Sequence, residues 1–77
     1  MMEFKVCSIT NNPEQFKTEM EAVFGRSTVL MWKVPKHETR TIVHLGFRVS
    51  GNYSKQDISN MIPTYCRRVF DYDIYLM

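Results

Sequence analysis

The chain reads as an α+β two-layer sandwich of the order βαββαβ, with an antiparallel four-stranded sheet ordered 4-1-3-2 and two helices on one face. Three observations predict it. Four segments alternate apolar and polar residues with the period of a strand. Two intervening stretches carry apolar residues at helical spacing. The second and third strands are joined by a connection of hairpin length, whereas the other strand pairs are separated by crossovers that hold the helices. Right-handed crossovers then put both helices on one side and strands one and three in the centre.

The most regular strand runs from Arg40 to Gly51. Thr41, Val43, Leu45, Phe47 and Val49 form a nearly all-apolar row, and Ile42, His44, Gly46, Arg48 and Ser50 fill the gaps. One row of this kind is buried and the other faces out. Upstream, Glu3 to Thr10 sets Phe4, Val6 and Ser8 against Lys5, Cys7 and Ile9. Asn11-Asn12-Pro13 reads as a helix start, with Asn12 as cap, Pro13 at the first helical position and Gln15 at capping-box spacing. Phe16, Met20, Val23 and Phe24 make the apolar face of that helix, and Gly25 stands where a left-handed cap is expected.

Thr28 to Val34 is the second strand. Leu30, Trp32 and Val34 are expected to face the core and Val29, Met31 and Lys33 to face away, although both rows are apolar enough for the opposite phase. Pro35 ends the strand, as suits a sheet edge, and Lys36-His37-Glu38-Thr39 is the polar connection into strand three. Ser54 opens the second helix, with Asp57 as its acidic first-turn partner. Ile58, Met61, Ile62, Tyr65, Cys66 and Val69 give its apolar face, and Arg67 and Arg68 sit in the last turn, where the helix dipole favours cations. Pro63 conflicts with one continuous helix and predicts a kink or two short helices. Tyr72, Ile74 and Leu76 alternate with Asp71, Asp73 and Tyr75 in a last strand.

The 77 residues suffice for one domain spanning 1–77, near the lower size limit for folding without disulfides or metals. Ten Lys and Arg against eight Asp and Glu leave a charge of +2, too small to imply a polyanionic partner without local clustering. Two cysteines do not make a disulfide framework, which points to a reducing compartment. No stretch approaches the ~20 apolar residues of a membrane span, and MMEFKVCSIT lacks the features of a secretory signal. The expectation is a soluble cytoplasmic protein, in the host cytoplasm if the source is viral.

This arrangement resembles the ferredoxin-like sandwich, an architecture that hosts many unrelated functions. The site must therefore be argued from the face left uncovered by the helices. With the expected phases that face carries Cys7, Val29, Met31, Ile42, His44 and Tyr75, an apolar patch with mixed charge at its margins. Such a patch on a small protein marks a contact surface. The reading is a small non-catalytic regulator or inhibitor that binds a protein partner through this face or an edge, as small viral inhibitors do, or that pairs with a second copy. The alternative is an RNA- or DNA-binding module using a basic rim of Lys5, Lys33, Arg40, His44 and Arg48.

HLGFRV, residues 44–49, resembles the RNP1 pattern of RNA-recognition domains. That resemblance implies bases stacked on exposed rings. Phe47, however, falls on the expected core row, and the outward row of strand three holds only the His44 imidazole. Metal-carrying relatives of the architecture use two cysteines two residues apart after strand one, where this chain has Cys7 alone, and acylphosphatases need an arginine in that loop, which Ser8 to Pro13 lacks. Cys66 is expected in the core and Cys7 as a free thiol on the open face. His37 and His44 have no cleft to desolvate them, and Asp57, Asp71 and Asp73 make a poor cation site, so no catalytic residue, metal or cofactor is expected.

Overall fold

A computed structural model of the chain describes every residue except Pro35 and Lys36; the side chains of Val29, Met31, Lys33, Val34, His37, Glu38 and Thr39 also lie outside the described residues. The elements are β1 (Met2–Thr10), α1 (Pro13–Phe24), β2 (Thr28–Val34), β3 (His37–Val49), α2 (Lys55–Met61), α3 (Thr64–Val69) and β4 (Tyr72–Leu76). The four strands form one antiparallel sheet in the order β2-β3-β1-β4. β3 is the longest at 13 residues and begins at His37, ahead of the alternating stretch. That extension takes up three of the four residues expected in the polar connection; the fourth, Lys36, and Pro35 fall outside the described residues.

The expected two-helix, ferredoxin-like sandwich is corrected in its helical layer, which holds three helices. Pro63 is the cause. A proline disfavours the helical conformation in the residue before it and has no N–H to continue the ladder. Ile62 is accordingly extended (φ −64°, ψ 135°) and closes α2, while Pro63 (φ −52°, ψ 139°) caps α3. The buried face is also narrower than the apolar stripe. Ile58, Ile62, Cys66 and Phe70, four residues apart, are buried, whereas Met61, Tyr65 and Val69 are exposed. Val23 of α1 is likewise exposed, leaving Phe16, Met20 and Phe24 to face the sheet.

The core lies between this layer and the inward rows of β1, β3 and β4: Phe4 and Val6, Val43, Leu45 and Phe47, and Ile74. Phe4, Phe24 and Phe47 meet with ring centroids 5.1, 5.4 and 5.3 Å apart, so α1 is fastened to the two central strands by aromatic contacts. The helix ends follow their residues in part. Ser54 and Asp57, expected as first-turn partners, form a capping box. Asn12 makes no side-chain cap bond; its N–H instead donates to Thr10 Oγ1 at 2.9 Å. Gly25 has φ +88° and donates its N–H to the Glu21 carbonyl. Among the described residues no helix is long and apolar enough to cross a membrane.

The second correction concerns β2. Its register pairs Leu30 with His44 and Trp32 with Ile42, while Val29 pairs with Leu45, Met31 with Val43 and Lys33 with Thr41. Directly paired residues project from the same side of a sheet. Leu30 and Trp32 therefore stand on the uncovered face, each 50% exposed, where the sequence placed Val29, Met31 and Lys33. The phase is the opposite of the expected one. A slip of one residue exchanges the two rows of a strand, and the ladder is irregular between Lys33 and Val34.

Candidate functional site

The uncovered face is ordered by the cross-strand registers into rows. Trp32, Ile42 and Ile9 form the first; Leu30, His44, Cys7 and Asp73 the second; Thr28, Gly46, Lys5 and Tyr75 the third; and Arg48 with Glu3 the fourth. Character changes steadily along the strands. The first row is apolar and aromatic, the second mixes an apolar edge with polar chemistry, and the fourth is an ion pair with Arg48 Nε 2.8 Å from Glu3 Oε1.

Two contacts join the first rows. The Trp32 and His44 rings meet edge to face with centroids 4.8 Å apart. Cys7 Sγ lies 3.1 Å from His44 Nδ1, within reach of an S–H donating to the imidazole in its Nε2–H tautomer. Burial pushes the Cys7 thiol above its ordinary range; the Lys5 ammonium opposes that shift and the Asp73 carboxylate adds to it. Beside this pair the sheet surface dips into a hollow of about 450 Å³ between β3, β1 and β4. Ile9, Ile42 and Tyr75 give its apolar lining, Arg40 stands in one wall and Asp71 and Asp73 in another. The base of β4 is held there by Ser8, whose hydroxyl donates to the Asp71 carbonyl at 2.6 Å.

Of the residues expected to bind a protein, the structure brings Cys7, Ile42, His44 and Tyr75 together on this face. Val29 and Met31 pair on the other row, and Leu30 and Trp32 take their place. Sequence reasoning missed those two, although the doubly apolar pattern of β2 was the available signal. Of the expected basic rim, Lys5, Arg40, His44 and Arg48 hold outward positions, Arg48 is paired with Glu3, and the side chain of Lys33 lies outside the described residues. Phe47 is buried as expected. The outward rings are instead Trp32 and Tyr75, on opposite edge strands.

Among the described residues no three His, Cys, Asp or Glu side chains are grouped to hold a metal ion. Cys7 and Cys66 are both free thiols, the first partly exposed and the second buried in the core on the other side of the sheet. Compared with protein families, with curated proteins and with solved structures, the chain matches none. Function must therefore be argued from this face alone.

Proposed function

We propose that this protein is a binding module that occupies an apolar surface of a protein partner, with Trp32 as its anchor. The observation that carries this reading is the half-exposed Trp32, flanked by Leu30, Ile42 and Ile9 on a sheet face that no helix covers. Tryptophan, tyrosine and arginine carry most of the energy in protein interfaces, and charge is depleted at their centres. The face fits that description: its apolar end holds no charge in the first row, and its charges lie at the margin, two of them paired to each other. Regulation or inhibition by occupying that surface is the simplest use of such a face.

Charge and ring placement weigh against nucleic acid. Within the basic rim Arg48 is already paired with Glu3. Trp32 and Tyr75 are three strand spacings apart across the sheet, about 14 Å, and two rows apart along it, too far for neighbouring bases to stack on both.

The test is capture from native lysate by the wild-type protein and by Trp32→Ala and Ile42→Asp variants, with and without nuclease. A protein bound in stoichiometric amount, retained after nuclease and at raised salt, and lost in both folded variants is the expected result. Retention by either variant, or loss on nuclease treatment, overturns the reading; the latter, with a steep salt dependence, would assign the face to nucleic acid.

A further inference from the structure

We propose that Cys7 is a modification site: a thiol that, with His44 as its base, exchanges with a small disulfide bearing both a carboxylate and an ammonium group. The geometry supplies each part. Cys7 Sγ and His44 Nδ1 are 3.1 Å apart, the distance at which an imidazole can take a thiol proton. The thiol borders a hollow of about 450 Å³, room for a small amino-acid or peptide substituent. Arg40 on one wall suits the carboxylate, and Asp71 and Asp73 on another suit the ammonium. Cys66, fully buried behind the sheet, is out of reach of the same reagent.

The exchange balances within its own reactants. His44 Nδ1 accepts the Sγ proton, and the thiolate attacks one sulfur of the disulfide in line with the S–S bond. That bond breaks as the Sγ–S bond forms. The departing thiolate takes the proton from His44 and leaves as a free thiol. Cys7 is oxidised, half of the disulfide is reduced, and no other oxidant enters. An ordinary thiol is mostly protonated at neutral pH and burial pushes Cys7 further that way, so attack depends on the base rather than on standing thiolate. The adduct would lie against Ile42 and Tyr75 and cover part of the apolar patch; its effect on partner binding rests on the reading proposed above, but the exchange itself does not.

The experiment is incubation of the folded protein with oxidised glutathione, followed by intact mass and by Trp32 fluorescence. Trp32 is the chain's single tryptophan and packs on His44, so its emission reports this spot. The expected result is one glutathione per chain, a tryptophan change with the same rate constant, and no adduct in Cys7→Ser. His44→Gln and His44→Asn, shown to be folded by circular dichroism, should slow the reaction roughly ten-fold or more. Wild-type rates in both folded His44 variants, an adduct mapped to Cys66, or mass gain without a tryptophan change would overturn the proposal. None of these readouts needs a partner, so failure here leaves the binding reading intact, and the reverse also holds.

Discussion

The phase of β2 decides which side chains meet a partner, and Leu30→Lys tests it directly. Leu30 is 50% exposed and pairs with His44 on the uncovered face. Full burial of a leucine contributes about 1.5–3 kcal/mol, so half burial is worth about 1 kcal/mol. A lysine stem can lie over the same surface with its ammonium in water and recover part of that. The expected loss is therefore under about 1 kcal/mol. Had Leu30 faced the helices, the substitution would bury an unpaired ammonium, at a cost of several kcal/mol. A 77-residue chain has only about 4–11 kcal/mol of total stability, so the two outcomes are well separated. Urea unfolding followed by Trp32 fluorescence and far-ultraviolet circular dichroism measures the difference. Leu45→Lys, fully buried on the next strand, is the positive control and should not fold. A loss above about 3 kcal/mol in Leu30→Lys at unchanged m-value would refute the observed phase.

Three further outcomes follow from the same contacts. Asp73→Asn removes a carboxylate that holds the Cys7 thiol protonated, so the thiol should titrate lower and react faster with a disulfide reagent near pH 8; Lys5→Met should do the opposite. Burial, with Glu19 as a smaller contributor, pushes Cys66 from 9.0 to about 11, so the unfolded chain releases that proton first as pH rises. Stability should fall by roughly 1 kcal/mol or more between pH 9 and 11 and be unaffected by this group below pH 9, a slope that Cys66→Ala removes in urea titrations. Ser54→Ala breaks the capping box at the start of α2 and should cost about 1 kcal/mol, read from the urea midpoint.

Where one physical signal dominated, the sequence was legible. The inward row of β3 is unambiguous because its alternate positions Ile42, His44, Gly46 and Arg48 are mostly polar or small. The Ser54–Asp57 cap was readable because both partners are local. The exposure of Met61, Tyr65 and Val69 was not, since periodicity marks the whole apolar stripe while packing buries only the line Ile58, Ile62, Cys66 and Phe70. At the candidate site, Cys7, Ile42, His44 and Tyr75 were placed from alternation alone, but their assembly is a matter of register. The 3.1 Å approach of Cys7 to His44 joins residues 37 positions apart and depends on strands β1 and β3 meeting without a slip.

β2 failed for a different reason, and that reason bears on function. A strand whose two rows are both apolar gains similar burial from either phase, so local pattern carries no preference and the ladder with β3 decides. β2 is also an edge strand, while α1 packs over β3 and α2 over β4. Under that arrangement one apolar row of β2 must remain uncovered in either phase. The bare patch at this edge is thus a consequence of composition, and the register only settles that its members are Leu30 and Trp32. A polar outward row would have removed the patch at little cost to the core. Retaining leucine and tryptophan there leaves about half of each in water, a surface that gains most when another apolar surface closes over it.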